Sequence, residues 1–148
     1  MTATHLATKS EMTVWDNPIG TDGFEFVEYS STDPQALAHL FAQLGFVAVA
    51  QHRSKNVTLY RQGEINFILN NEADSQAATF SSLHGPSANA FAIRVKDAGV
   101  AVKALHARGA TVLASGAGPM ELNIPAIQGI GGSLLYLVDR YGDDSIYD

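Results

Sequence analysis

A chain of 148 residues, 46% of them hydrophobic and with near-zero mean hydropathy, has the make-up of one ordinary globular domain or of two small modules packed tightly together. Fifteen acidic against nine basic residues give a formal charge of −6, which argues against nucleic acid as a partner and gives no support for an anionic membrane surface. With no cysteine, disulfides, thiolate nucleophiles and thiolate metal sites are excluded. No apolar run has the length of a transmembrane helix and the N-terminus lacks a signal-peptide core, so a cytoplasmic location is expected.

Residues 1–16 are small and polar without a sustained period, and read as a flexible leader. Asn17-Pro18-Ile19-Gly20 starts order with a turn, and Phe24 to Tyr29 reads as a strand. Simple alternation puts Phe24, Phe26 and Glu28 on one face and Glu25, Val27 and Tyr29 on the other. Asp33-Pro34 is a helix start, with Asp33 as cap and proline at the first helical position. Leu37, Leu40, Phe41 and Leu44 recur at helical spacing until Gly45. Phe46 to Ala50 is a short strand, followed by the loop His52-Arg53-Ser54-Lys55-Asn56. Val57 to Asn71 then reads as two antiparallel strands joined around Gly63.

Ser75 to Leu83 has some helical character within a longer connection, and Ala90 to Val95 is again a strand. Asp97 opens a helix carrying Val100, Val102, Ala104 and Leu105, closed by Arg108-Gly109. Val112-Leu113 is a short strand, Ser115 to Pro119 a loop, and Met120 to Ile127 alternates weakly. Leu134 to Val138 is a strong last strand after Gly131-Gly132, and Asp139 to Asp148 reads as a polar tail. The second half therefore repeats the first: strand, Asp-led helix, then short strands. The fold expected is α/β (α+β), two fused βαβββ modules at about 20–72 and 88–140 forming a half-open mixed-sheet barrel. The domain spans 17–142, with 143–148 a tail or the start of a linker. A doubly wound dinucleotide-binding sheet needs more helices and a strand followed by GxGxxG, which is missing.

Chemistry is sparse. The five histidines, His5, His39, His52, His84 and His106, form no HExxH or other close pair, so ordinary surface roles are the simpler reading. Glu25 and Glu28 fall on opposite faces by strand alternation and do not make an acid/base pair. Glu28, on the phenylalanine-bearing face, is a candidate contact, with Arg61 or Arg94 as partner. His52, Arg53 and Lys55 form the one dense basic patch and are candidate contacts for an anion or another domain. Gly116-Ala117-Gly118-Pro119 lacks the lysine and hydroxyl of a phosphate loop.

The phrases HRSKNVTLYRQGEINFILNNE (His52–Glu72), HGPS (His84–Ser87), FAIRVKDA (Phe91–Ala98), GPMELNIPAIQGIGG (Gly118–Gly132) and LLYLVDRYG (Leu134–Gly142) together resemble the N-terminal half of bacterial 4-hydroxyphenylpyruvate dioxygenases. The resemblance runs from about Asn17 to Asp148, and the paired modules are shared with the wider glyoxalase-like, vicinal oxygen chelate superfamily. It implies a parent enzyme of tyrosine catabolism that converts 4-hydroxyphenylpyruvate and dioxygen to homogentisate and carbon dioxide. The parent's Fe(II) is held by two histidines and a carboxylate of a C-terminal catalytic domain, so no cofactor is expected on this chain. In metal-binding members, one ligand of each module lies seven residues before the Asp that opens the helix, which here gives Phe26 and Ala90. The other lies in the last strand, near Phe67 and at Tyr136. These side chains make no superfamily-type iron site. The role implied is that of a non-catalytic module that supports the catalytic domain, its partner, and contributes to assembly. An apolar face left without that partner would drive self-association. The alternatives are a small-molecule binding protein with a cup lined by Phe24, Phe26 and Phe67, or a metalloenzyme formed by dimerisation through ligands such as Glu28 or His84.

Overall fold

The computed structural model describes residues 15–113 and 123–148. Most of the expected leader and the Ser115–Pro119 loop lie outside them. The strands are β1 (Thr21–Ser30), β2 (Val47–Gln51), β3 (Val57–Gln62), β4 (Ile65–Asn70), β5 (Ser87–Val95), β6 (Val112–Leu113), β7 (Ala126–Gln128) and β8 (Leu134–Val138). The helices are α1 (Pro34–Gln43), α2 (Gln76–His84) and α3 (Ala98–Ala107).

Local chemistry sets these boundaries. Asp33 caps α1 by accepting from the Ala36 amide at 3.1 Å, and Asp97 caps α3 from the Val100 amide at 2.8 Å. Ser75 does the same for α2 through Ala78, which turns the weak helical signal there into a defined nine-residue helix. Gln62 pairs with Ile65, so the β3–β4 hairpin has a two-residue loop, and Gly63 takes its left-handed position at φ +57°.

The eight strands of the described residues form one sheet in the order β2-β3-β4-β1-β5-β8-β7-β6. Within each βαβββ module the first and last strands pair in parallel, β1 with β4 and β5 with β8. The modules join through antiparallel β1 and β5. One face carries the helices. Phe41, Phe46 and Leu69 are buried under α1 with Tyr29, Tyr60 and Phe67, where Phe46 and Phe67 stack with centroids 4.1 Å apart. Val95, Ala98, Ala101 and Leu137 form the counterpart under α3.

The opposite, inner face carries a third core of Phe26, Ala92 and Val138, with Ile68 and Tyr136 beside them. Its lid comes from the chain's own end. The expected polar tail folds back, and Tyr141, Ile146 and Tyr147 pack onto this core. The Arg140–Asp144 ion pair, 2.7 Å, spans the turn that brings them there. The apolar side chains of Ile146 and Tyr147, hidden in a polar stretch, outweigh its polar average.

Candidate functional site

Among the described residues, the inner face is where charged groups, Glu25 and Glu28, are buried together, and a bulge in β1 decides which groups reach it. Phe24 pairs with Ile93 and Phe26 with Ala92, so Glu25 is an extra residue opposite no partner. The bulge resets the alternation. Phe24 turns to the helix-bearing side, 69% exposed and against Phe91, while Glu25 joins Phe26 and Glu28 in burial on the inner face. The expectation that Glu25 and Glu28 take opposite faces is thereby corrected. So is the phenylalanine-lined cup. Of Phe24, Phe26 and Phe67 only Phe26 lies there, because Phe67 packs beneath α1 and its neighbours Asn66 and Ile68 face inward instead.

The charges are matched differently from the sequence reading. Arg94 donates to Glu25 at 2.5 Å and lies over the Tyr141 ring at 5.2 Å. Arg61 donates from Nε to Asn66 Oδ1 at 2.8 Å and covers the Tyr147 ring at 5.5 Å. Asn66 in turn donates to the Glu25 carbonyl at 3.1 Å. Neither arginine partners Glu28. That carboxylate accepts from Asn89 at 2.7 Å and Asn70 at 3.3 Å, and Gln76 of α2 holds Asn89 from behind at 3.1 Å. Burial raises the Glu28 carboxyl above its usual range, with the two amides and the charge of Lys55 pulling the other way. Tyr136 is pushed up by burial and by the charge of Glu28. Tyr147 is pushed up by burial and by the neighbouring Glu25 carboxylate, beside which its hydroxyl sits without a hydrogen bond of acceptable geometry.

The remaining sequence candidates lie elsewhere. His52 Nδ1 accepts from the Ser54 and Lys55 amides, each at 3.2 Å, and so organises the β2–β3 loop. Arg53 is exposed in that loop. His84 contacts the Gly131 carbonyl at 3.2 Å and the Phe80 ring, away from Glu28. Glu25, Asn66, Asn89, Gln76 and Tyr147 were missed by sequence reasoning. Only the apolar Ile146-Tyr147 pair in a polar tail was a usable signal.

At the positions that the resemblance gives to metal ligands, Phe26 and Ala90 have no donor atom, and the β4 side chains that face inward are Asn66 and Ile68 rather than Phe67. Tyr136 is a phenol held protonated beside Glu28, itself committed to two amides. No group of three or more histidine, aspartate or glutamate side chains that could hold a metal ion is present among the described residues. A groove of about 400 Å³ lies open between β2–β3 and the returning segment, lined among others by Val49, Ala50, Leu59, Arg61 and Tyr147.

Two βαβββ repeats joined through their first strands, with helices on one face, define a glyoxalase-like domain of the vicinal oxygen chelate type. Its inner face is closed by its own chain. The family model described as hydroxyphenylpyruvate dioxygenase, HPPD, N-terminal, matches residues 15–148, and the chain belongs to that family. Hemolysin VllY of Vibrio vulnificus is 57% identical over 135 residues, covering 89% of this chain and 38% of the relative. The 4-hydroxyphenylpyruvate dioxygenase of Pseudomonas aeruginosa is 53% identical over 135 residues with the same two coverages. This chain therefore spans 38% of the length of these curated relatives. Among solved structures, a xylose isomerase-like TIM barrel/4-hydroxyphenylpyruvate dioxygenase fusion protein matches with a TM-score of 0.74 at 39% identity, over 88% of this chain and 22% of that one. A methylmalonyl-CoA epimerase bound to methylmalonyl-CoA and NH4+ matches with a TM-score of 0.67 at 16% identity, over 84% of this chain and 99% of that one, a likeness of fold alone.

Proposed function

We propose that this domain is the non-catalytic N-terminal module of a 4-hydroxyphenylpyruvate dioxygenase acting in cytoplasmic tyrosine catabolism. In this reading the iron and the conversion of 4-hydroxyphenylpyruvate to homogentisate belong to a C-terminal catalytic domain. The module's work is to support that domain and to contribute to assembly. The observation that carries the reading is the family match over residues 15–148 in a chain spanning 38% of its relatives. In support, Phe26 and Ala90, the positions the resemblance gives to ligands, carry no donor atom, and Tyr147 packs onto the core around Phe26. Each buried charge on the inner face is engaged structurally, Glu25 with Arg94 and Glu28 with two amides. Purified chain supplied with Fe(II), ascorbate and 4-hydroxyphenylpyruvate should form no homogentisate by chromatography, and turnover above the protein-free blank would overturn the reading.

The open groove beside Tyr147 favours one second reading, binding of a small organic anion by the Arg61 guanidinium against an apolar wall. Displacement of a bound fluorescent aromatic carboxylate, lost in Arg61→Met, would support it. No saturable binding would remove it.

A further inference from the structure

Arg61 and Asp148 line the same open groove of about 400 Å³, yet they do not pair with each other. Their charged atoms lie more than 4.0 Å apart, and among the described residues neither makes an ion pair. Arg140, whose guanidinium feels the charge of Asp148, is already taken by Asp144 at 2.7 Å.

The arginine is held in place. Its Nε donates to Asn66 Oδ1 at 2.8 Å, and its guanidinium carbon lies 5.5 Å from the centre of the Tyr147 ring. The two terminal nitrogens of the fork have no hydrogen-bond partner among the described residues, and such a pair suits a carboxylate. Asp148 accepts from the Ser145 amide through Oδ2 at 3.2 Å, which leaves Oδ1 open. Val49 of β2, Leu59 of β3 and the Tyr147 ring supply an apolar wall.

Charge decides what such a groove takes. A plain anion meets the general repulsion of a body of −6 and the carboxylate of Asp148, while a plain cation meets Arg61. A molecule with one charge of each sign and no net charge escapes both penalties. We propose that the groove binds a free α-amino acid with an apolar side chain. Its carboxylate lies on the Arg61 fork, its ammonium on Asp148, and its side chain against Val49, Leu59 and Tyr147. The volume falls toward the small end of the roughly 300–1,000 Å³ of ligand pockets, which suits a ligand of this size. The proposal rests on the second reading, of an anion site at Arg61, and narrows its ligand.

Nuclear magnetic resonance titration of the full chain with L-phenylalanine, 3-phenylpropanoate and phenethylamine tests it, since the last two lack the ammonium and the carboxylate in turn. Phenylalanine should saturate the signals of Arg61 and Tyr147. 3-Phenylpropanoate should bind about threefold more weakly, the worth of an exposed ion pair. Phenethylamine should bind about tenfold more weakly, the worth of a hydrogen bond to a charged group. Asp148→Asn should bring phenylalanine and 3-phenylpropanoate to equal affinity, and Arg61→Met should abolish both. Circular dichroism checks that each variant is folded, and Asp148 is exposed, so its replacement tests the site without disturbing the core. If 3-phenylpropanoate binds as tightly as phenylalanine to the wild-type chain, the proposal is overturned and the anion reading stands. A preference for phenylalanine that survives Asp148→Asn overturns it too, as does phenethylamine binding as tightly as phenylalanine. Saturable binding by none of the three removes the proposal and the anion reading together.

Discussion

Replacing Tyr147 separates the two ways in which it could hold the returning segment. Its ring is packed against Phe26, Ala92 and Val138 and lies under Arg61. Loss of roughly 100 Å² of aromatic burial costs about 2.5 kcal/mol at ~25 cal/mol per Å², and the cation–π contact adds about 0.5 kcal/mol. Against this stands the hydroxyl, buried without a hydrogen-bond partner, a state that costs about 1 kcal/mol or more. Tyr147→Ala should therefore destabilise the domain by about 2 kcal/mol net, while Tyr147→Phe should stabilise it by about 1 kcal/mol. Urea unfolding followed by circular dichroism reads both values. Hydrogen exchange of residues 141–148 shows whether the alanine variant frees the segment alone or the whole fold. A loss of 1 kcal/mol or more in Tyr147→Phe would refute the reasoning, since the hydroxyl would then be bonded to Glu25 and the segment held by polar contacts.

Glu28 should give the fold an inverse dependence on acid. Because burial raises its folded-state carboxyl, the native chain keeps a proton that the unfolded chain releases near pH ~4.3. The stability from this site thus falls as pH rises from there through the raised value, then levels off. Glu28→Gln should remove that slope in urea titrations run at successive pH values, and an unchanged slope would assign it to another group. Arg94→Met leaves the buried Glu25 carboxylate without its ion pair. The expected loss is about 2 kcal/mol, below the ~3–5 kcal/mol of fully buried pairs because the Arg94 side chain is 33% exposed. Adding Glu25→Met should recover most of it, and a purely additive double variant would contradict the coupling. Asp33→Ala and Asp97→Ala each remove a helix cap. Each should lower stability by about 1 kcal/mol, and the pair by their sum, measured by thermal melts.

The repeat was legible because both modules use the same local chemistry, an Asp cap opening each helix and glycine before each last strand. The hairpin at Gly63 was legible for the same reason. The site was not, since its composition depends on one inserted residue. The Glu25 bulge shifts Phe24 outward and Glu25 inward, and no alternation pattern within β1 records where a partner strand skips a residue. Phe67 was placed in the cup by a position counted to within one residue, and a single step in a strand exchanges the two faces. Glu28 was placed on the face of Phe26 with Arg61 or Arg94 as partner, yet its partners are amides from β4 and β5, 42 and 61 residues away. Tyr147 shows the reverse limit, because a polar-looking stretch of ten residues hides the three that pack, Tyr141, Ile146 and Tyr147.

The claim that this domain's inner face holds no iron is tested most directly by anaerobic titration of the purified chain with Fe(II), followed by desalting and metal analysis. The account predicts far less than one iron per 15.8 kDa chain, with no change when Glu28 is replaced by Gln. One iron retained per chain, and lost in Glu28→Gln, would contradict it.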